Sequence, residues 1–223
     1  MIMYMSRVTL SRQPSVQALN ALLLPQDAGA RTDAHHRVLW TLFADDPDRR
    51  RDFLWREIRE GEFLVLSERE PVQTDLFSRV STKSYAPKIS PGDRLFFSLR
   101  ANATRTKKGG KRVDVVMDAL YTVPKDERSA RRMEIAGSVG SAWLTRQGER
   151  TGFSVNECAV TNYSVHALPS HQGPRDRQPQ FGILDFQGEI EVTDPVAFLQ
   201  GHTKGLGRAK AFGCGLMLVR RAR

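Results

Sequence analysis

Residues 93–101 read DRLFFSLRA and follow the turn Ser90–Pro91–Gly92. This run is typical of a β-strand, because it is rich in apolar residues and is preceded by turn-forming residues. Residues 72–86 before it are compatible with either a helix or a strand. Earlier in the chain, the patterns predict a strand at Met3–Leu10, a helix at His35–Phe43, and two short strands at Phe53–Ile58 and Phe63–Leu66. With residues 93–101 as its last strand, this half of the chain fits a βαββαβ unit.

The second half of the chain repeats a similar order of elements. Its patterns predict a helix at Ser129–Leu144, strands at residues 152–168 and Phe181–Val192, a short helix capped by Asp194, and a final strand that contains Leu216–Val219. The sequence therefore predicts an α+β protein with two tandem ferredoxin-like (RRM-like) βαββαβ domains. We place the boundary after residue 121, which assigns residues 1–121 to the first domain and residues 122–223 to the second.

The charge of the chain indicates a polyanionic partner. Its 223 residues include 34 Lys and Arg against 25 Asp and Glu, a formal net charge of +9. A protein this basic usually binds nucleic acid, with an anionic membrane surface as the alternative. No apolar run approaches the roughly 20 residues of a membrane-spanning helix, and no secretory signal is visible. Because the chain has only two cysteines, we expect no disulfide framework and a cytoplasmic location.

A glycine-rich basic segment lies near the end of the chain, where residues 201–217 read GHTKGLGRAKAFGCGLM. Gly205 and Gly207 permit backbone torsions that other residues avoid, and Lys204, Arg208 and Lys210 are interleaved with them. Such a loop suits phosphate, because amide groups and cationic side chains can both face the anion. A tight turn before the last strand is the alternative. The glycine spacing matches neither a nucleotide-binding P-loop nor a dinucleotide-binding fingerprint.

Two further groups of cations are candidates for binding nucleic acid. Residues 104–112 read TRTKKGGKR, so Gly109–Gly110 predicts a hairpin turn with a basic tip; a solvated loop is the alternative. The helix predicted after it carries arginines whose spacing places them on one face. The candidates are Arg105, Lys107, Lys108, Lys111 and Arg112 in the hairpin, and Arg128, Arg131 and Arg132 on the helix. In contrast, we interpret Arg49–Arg51 as a solvated face.

Five stretches of the chain resemble the Cas6e endoribonucleases, also called CasE or Cse3, of CRISPR type I-E systems. They are MYMSRVTL at 3–10, HHRVLWTLFAD at 35–45, RDFLWRE at 51–57 together with DRLFFSLRANATRTKKGGKR at 93–112, and GLGRAKAFGCGLM at 205–217. These stretches follow the order found in the family and span nearly the whole chain.

The resemblance implies a function as well as two tandem ferredoxin-like domains. It implies metal-independent cleavage of the CRISPR repeat hairpin in precursor RNA, with no cofactor. In metal-free cleavage the 2′-hydroxyl attacks phosphorus and leaves a 2′,3′-cyclic phosphate and a 5′-hydroxyl. The resemblance also implies that the enzyme keeps the RNA hairpin product and joins the other Cascade subunits. We expect no membrane association and a monomer when the protein is free. Independently, the histidines and cysteines lack the spacing of a metal site.

The resemblance also selects the candidate catalytic residues. Histidine suits proton transfer because its pKa lies near the operating pH, but the neighbours His35 and His36 point about 100° apart on a helix and are not expected to share a role. Aligned with the first helix of the family, His36 occupies the position of the catalytic histidine. Asp33 stands where the family carries a tyrosine. This carboxylate either orients His36 and raises its pKa, or caps the helix.

Two other functions remain open from the sequence. The departure at Asp33 is compatible with a non-catalytic subunit that binds the RNA hairpin. The net charge is compatible with a protein that binds nucleic acid without hairpin specificity. Binding of repeat RNA without a shortened product would identify the first alternative, and equal affinity for the repeat hairpin and a scrambled single strand would identify the second.

Overall fold

The computed structural model describes residues 2–19, 25–44, 50–167 and 180–222. In chain order its elements are β1 (Tyr4–Leu10), α1 (Pro14–Gln17), α2 (Ala28–Trp40), β2 (Phe53–Arg59), β3 (Glu62–Ser67), β4 (Phe77–Ser84), β5 (Arg94–Ala101), β6 (Thr104–Thr106), β7 (Arg112–Asp114), α3 (Val115–Leu120), α4 (Arg128–Thr151), β8 (Phe153–Ala167), β9 (Gln180–Val192), α5 (Pro195–Lys204) and β10 (Met217–Arg221). Short 3-10 turns occur at Thr41–Phe43 and Lys210–Phe212. The first of two units comprises Met1–Pro87, Ala167–Pro179 and Lys210–Gly213, and the second comprises Lys88–His166, Gln180–Ala209 and Cys214–Arg223.

The first unit is a four-stranded antiparallel sheet packed against helix α2. Its strand order is β2-β3-β1-β4, the order of a ferredoxin-like fold. β1 pairs with both β3 and β4, so that Val8 lies opposite Phe63 on one side and Val80 on the other. Apolar side chains of α2, of the turn after it and of the sheet form the core, which includes Leu39, Leu42, Phe43, Phe53, Phe63 and Val65. Burial of these side chains fixes one face of α2 against the sheet.

The connection between β3 and β4 lacks the second helix of a ferredoxin-like unit. Residues 68–76 are irregular, and Pro71 among them cannot donate a backbone hydrogen bond. The region that the sequence left undecided, residues 72–86, contains strand β4. Because β4 lies at the edge of its sheet, most of its side chains are exposed or half-buried, and the period-2 burial that identifies a strand is weak.

The second unit has the corresponding strand order, β10-β5-β9-β8. β5 pairs antiparallel with β9, which places Leu99 opposite Phe186. Trp143 of α4 stacks on Phe186, with ring centroids 5.9 Å apart. The helix packs closely on the sheet at Gly140, where an added Cβ would meet a Val160 methyl at 3.0 Å. With the same strand order in both units, the predicted pair of ferredoxin-like domains is confirmed.

The strand at residues 93–101 belongs to the second unit rather than the first. Its inward residues Leu95, Phe97 and Leu99 lie in the core of the second unit, and β9 and β10 pair with it from far along the chain. The predicted boundary at residue 121 therefore falls inside the second unit, which begins at Lys88. The order of elements did not reveal this, because residues 93–101 complete a βαββαβ pattern equally well as the end of one unit or the start of the next.

Candidate active site

Helix α2 carries the candidate catalytic residues and begins two turns before the predicted start at His35. Asp27 is its N-cap, and its side-chain oxygen accepts a hydrogen bond of 2.8 Å from a backbone N–H of the first turn. Since the helix begins at Ala28, Asp33 lies inside it, and the alternative in which Asp33 caps the helix is wrong. Oδ2 of Asp33 instead forms an ion pair of 3.1 Å with Nη2 of Arg37, one turn later.

His35 lies on the inward face of α2. Its side chain is 2% exposed, and its ring packs edge-on against Phe63, at a centroid distance of 4.8 Å, and against Trp55, at 6.1 Å. Burial, together with the charge of Arg31, lowers the pKa of His35 to about 4. Oε2 of Glu57 lies 3.8 Å from Nδ1, but a ring with this pKa is neutral at pH 7, so the contact is not an ion pair there. His35 is a core residue.

His36, in contrast, is half-buried. Nε1–H of Trp40 donates a hydrogen bond of 3.1 Å to Nε2 of His36. Because an indole N–H can only donate, Nε2 is an acceptor, and the proton of the neutral ring is on Nδ1. Burial lowers the pKa of His36, the charge of Arg51 lowers it as well, and Asp33 opposes both. The ring is therefore neutral at pH 7, which is the state required of a general base.

Part of the glycine-rich segment lies beside His36. The turn Lys210–Phe212 belongs to the first unit. The carbonyl oxygen of Ala211 accepts a hydrogen bond of 3.1 Å from Nε1 of Trp55, and the Phe212 ring lies 6.2 Å from the ring of His36. These contacts hold the turn against β2 and α2. Of the predicted basic residues of the segment, Lys210 is the one that the structure brings into the unit that contains His36.

Arg51 adds a second cation to this site. Its charge lowers the pKa of both His36 and Lys210, although burial is the larger cause for each. Burial also lowers the pKa of the Arg51 guanidinium itself. Nη1 of Arg51 is buried and has no hydrogen-bond partner among the residues that the structure describes. The site thus combines a neutral imidazole with two half-buried cations.

The sequence interpretation of Arg49–Arg51 as a solvated face missed this role. It is wrong for Arg51, whereas Arg50 is exposed as expected; Arg49 lies outside the described residues. The spacing of Arg51 from the aromatic residues of strand β2 indicated its inward direction. Residues 51, 53 and 55 point to the same side of an extended chain, and Phe53 packs against Trp40 of α2 with ring centroids 5.3 Å apart. An arginine in register with these inward aromatic residues points toward the helix.

The predicted basic hairpin is present in the second unit. β6 pairs with β7, and both glycines of its turn have positive φ. Two of its cations are engaged within the protein, since Lys107 and Arg105 both form ion pairs with Asp118 and hold the pKa of that carboxyl below its ordinary value. The remaining candidates, Lys108, Lys111 and Arg112, are exposed.

The arginines predicted on one helix face have different environments. Arg128 is half-buried, donates hydrogen bonds to two backbone carbonyls that precede α4, and places its guanidinium carbon 5.9 Å from the ring centre of Tyr121. Arg131 lies within ion-pair distance of two glutamates of its own helix turns, at 3.6 and 4.0 Å. Arg132 is exposed. Arg128 therefore supports the local structure, whereas Arg131 and Arg132 present charge to solvent.

The part of the glycine-rich segment in the second unit folds as a tight turn. Gly205 and Gly207 have φ of +75° and +78°, and a Cβ at Gly207 would meet the carbonyl oxygen of Asn102 at 2.7 Å. The backbone N–H groups of Gly205 and Arg208 donate to carbonyls within the protein, at 2.9 and 3.2 Å. These amides are used internally, which favours the tight-turn alternative. The side chains of Lys204 and Arg208 are exposed.

The described parts of the chain contain neither a metal-ligand cluster nor a membrane-spanning helix. Within those ranges, no group of three or more His, Cys, Asp or Glu side chains is arranged to hold a metal ion. No helix there has both the length and the apolar character needed to cross a bilayer.

The chain has relatives among known proteins. The model of the family described as CRISPR associated protein matches residues 3–221. The chain is 29% identical over 188 residues to the CRISPR system Cascade subunit CasE of Escherichia coli (strain K12), and the aligned part covers 82% of this chain and 88% of the relative. It is 29% identical over 203 residues to the CRISPR-associated endoribonuclease Cse3 of Thermus thermophilus, with 85% and 82% covered. The structure of Thermus thermophilus Cse3 bound to an RNA representing a pre-cleavage complex matches the fold with a TM-score of 0.69 at 24% identity, over 99% of this chain and 100% of that chain.

Proposed function

Because the chain belongs to the CRISPR associated protein family, we propose that it is an endoribonuclease that cuts the repeat hairpin of precursor CRISPR RNA to give mature CRISPR RNA. The observation that carries this proposal is the environment of His36, a half-buried imidazole whose pKa is lowered beside two cations. The names of the two relatives support it, since one is an endoribonuclease and the other a Cascade subunit. The protein then keeps the hairpin product within Cascade, in the cytoplasm.

His36 acts as the general base in this proposal. Its neutral ring takes the proton of the 2′-hydroxyl next to the scissile phosphate, and the 2′-oxygen attacks phosphorus in line. The P–O5′ bond breaks, the leaving 5′-oxygen takes up a proton from water, and the protonated His36 later returns its proton to solvent. The products are a 2′,3′-cyclic phosphate and a 5′-hydroxyl, and no step calls for a metal ion. General acid–base catalysis of this kind typically contributes about 10²–10⁴-fold to the rate.

Trp40 positions the imidazole before RNA binds. In the neutral ring Nε2 is the basic nitrogen, and it accepts the hydrogen bond of Trp40. The 2′-hydroxyl of the substrate must therefore replace the indole as the donor to Nε2 before proton transfer. Until then the hydrogen bond fixes the orientation and the tautomer of the ring.

Asp33 contributes charge to the site. Its carboxylate raises the pKa of His36 against the effects of burial and of Arg51, and it pairs with Arg37. Its side chain lacks the phenol that a tyrosine at this position would offer for proton transfer. We therefore assign Asp33 to tuning His36 and not to a proton-transfer step of its own.

The exposed cations of the second unit are assigned to the RNA backbone. They are Lys108, Lys111, Arg112, Arg131, Arg132, Lys204 and Arg208. Among the other predicted residues, Arg105 and Lys107 tie the hairpin to Asp118, Arg128 supports α4, and Gly205 and Gly207 shape the turn. Each contact with a phosphate should steepen the salt dependence of binding.

Cleavage of the native repeat RNA by the purified protein tests this function. In buffer with EDTA, we expect a shortened product that ends in a 2′,3′-cyclic phosphate, together with a fragment that carries a 5′-hydroxyl. The His36→Ala protein should bind the same RNA and cut it far more slowly. Loss of cleavage in EDTA that magnesium restores would instead identify a metal-dependent nuclease.

A non-catalytic subunit that binds the RNA hairpin is the second candidate. It is favoured by the Trp40 hydrogen bond, which occupies the basic nitrogen of His36, and by the carboxylate of Asp33. The cleavage assay separates the two functions, because tight binding of the repeat hairpin without any shortened product would support the subunit. A scrambled single strand bound equally well at the same salt concentration would exclude hairpin specificity in either case.

A further inference from the structure

Arg51 differs from two other partly buried arginines, Arg69 and Arg100, in the way its charge is compensated. Arg69 donates to both carboxylate oxygens of Asp52, at 2.6 and 3.0 Å, and Arg100 donates to both oxygens of Asp185, at 2.8 and 3.0 Å. Arg51 has no such carboxylate among the described residues, and its Nη1 is buried without a hydrogen-bond partner. A desolvated charge left in this state costs free energy, so the guanidinium is prepared for a partner that the described residues do not supply.

The surroundings of Arg51 define the charge of that partner. The charge of Arg51 disfavours the protonated imidazole of His36 and the protonated ammonium of Lys210, and so lowers the pKa of both. Among the described residues, Asp52 is engaged by Arg69 and Asp33 by Arg37. Cations that repel one another in a half-buried site are stabilised together by an anion placed among them. The missing partner is therefore anionic.

The anion must suit both a guanidinium and an ammonium. A planar guanidinium donates two parallel hydrogen bonds to an oxyanion, and an ammonium contributes a point charge that can sit on another oxygen. A phosphodiester has two non-bridging oxygens that satisfy both groups. The contacts of the turn Lys210–Phe212 with Trp55 and His36 keep Lys210 in place for this.

We propose that Arg51 binds the non-bridging oxygens of the scissile phosphate, opposite Lys210 and next to His36. This inference rests on the proposed function, because it takes the phosphate to be the one whose 2′-hydroxyl neighbour gives its proton to His36. As the 2′-oxygen adds to phosphorus, negative charge builds up on the non-bridging oxygens. The contacts of Arg51 therefore strengthen in the transition state, which makes Arg51 a catalytic residue and more than a binding residue.

The test compares Arg51→Gln with Arg50→Gln, a matched control that removes the adjacent, exposed arginine. Single-turnover cleavage of the repeat RNA should slow about 10²–10³-fold in Arg51→Gln and change less than about twofold in Arg50→Gln. Arg51→Lys, which keeps the charge and loses the fork of donors, should fall between them. With repeat RNA that carries a 2′-deoxy nucleotide at the cleavage site, the slope of log affinity against log salt should become shallower by about 0.7–0.9 in Arg51→Gln.

A second measurement needs no RNA. Because Nη1 of Arg51 lacks a hydrogen-bond partner in the described part of the chain, Arg51→Gln should melt at the same temperature as the wild type or at a higher one. A clear fall in melting temperature would show a structural ion pair and would overturn the proposal. Equal cleavage rates for Arg51→Gln and Arg50→Gln would overturn it as well. If His36→Ala is inactive while Arg51→Gln cuts normally, the inference about Arg51 fails and the proposed function stands. If His36→Ala cuts at the wild-type rate, the proposed function of this site fails.

Discussion

The two faces of helix α2 place adjacent histidines in opposite environments. His35 packs against the aromatic rings of Phe63 and Trp55, and its side chain is 2% exposed. His36 is half-buried, accepts a hydrogen bond from Trp40 and lies next to Phe212 of the glycine-rich segment. Burial lowers the pKa of both rings, and a nearby arginine lowers each further, yet only the ring of His36 is half-buried and not part of the core. The comparison shows that a lowered pKa alone does not identify a catalytic histidine, since a core histidine has one too.

Replacement of each histidine in turn should give the largest difference in cleavage rate between two variants. His36→Ala should slow single-turnover cleavage of the repeat RNA by about 10²–10⁴-fold, the usual contribution of a general base. His35→Phe, which keeps an aromatic ring in the core, is the control and should retain cleavage within a few-fold. Cleavage at the wild-type rate by His36→Ala would contradict the catalytic role of His36. A loss of cleavage in His35→Phe as large as that in His36→Ala would contradict the assignment of His35 to the core alone.

The stability of the protein should fall in acid because of its buried histidines. The pKa of His35 is lowered from 6.5 to about 4 in the folded state, so the unfolded chain binds more protons between these values. The stabilisation by the neutral ring is complete above pH 6.5 and is lost as the pH falls toward 4. The loss for His35 amounts to about 3 kcal/mol, at roughly 1.36 kcal/mol for each unit of pKa. Urea unfolding between pH 7 and pH 4 measures it.

Two variants show which histidine causes the loss of stability in acid. His202 is also buried, and burial lowers its pKa to about 4, so it adds to the same acid dependence. His35→Phe should therefore make the pH dependence shallower without abolishing it, and His36→Ala should change it least. If the free energy of unfolding of His35→Phe depended on pH as steeply as that of the wild type, His35 would not be a neutral core residue.

Loss of the Trp40 hydrogen bond should raise the pKa of His36. Trp40→Phe keeps a ring at this position and removes the donor to Nε2, a contact that only the neutral imidazole accepts. Since the base must be neutral, the inflection on the acid side of the pH–rate profile should move to higher pH. At pH 8, where the ring is neutral in both proteins, we expect the cleavage rate to change less than about tenfold. A shift toward lower pH would contradict the role of Trp40.

The smallest effect is expected at Asp33, and in the opposite direction. Asp33 raises the pKa of His36, so Asp33→Asn should move the same inflection to lower pH. The helix itself should be unaffected, because Asp27 is its cap. A large loss of activity at every pH would instead show that the carboxylate takes part in the reaction directly.

Much of the fold could be predicted from the sequence, because most of its strands and helices carry a clear pattern. The run at residues 93–101 was identified as a strand, but its assignment to a unit depends on pairing with β9 and β10, which a local pattern does not contain. The edge strand β4 has too little buried surface to show a period. The helix start was misplaced because residues 28–34 carry few large apolar side chains that would mark a buried face.

The site was predicted less completely than the fold. The choice of His36 over His35 came from the resemblance to a family, since the residues alone did not distinguish neighbours on a helix. Arg51 was missed because a run of arginines is usually solvated, and only its register with Phe53 and Trp55 indicates the inward direction. The glycines were expected to present amides to phosphate, whereas the N–H groups of Gly205 and Arg208 are used within the protein.

If His36 is the general base, the pKa of its imidazole must also be the pKa that governs the rate of cleavage. The pKa of His36 can be measured in the free protein by NMR, with His36→Ala used to assign its resonance. The second-order rate of cleavage, measured at protein concentrations below saturation, reports the pKa of the essential base in the free enzyme. With His36 as the base, we expect the two values to coincide, below 6.5, and to shift together in Trp40→Phe. A kinetic value that differs from the NMR value, or that stays fixed when the NMR value moves, would contradict it.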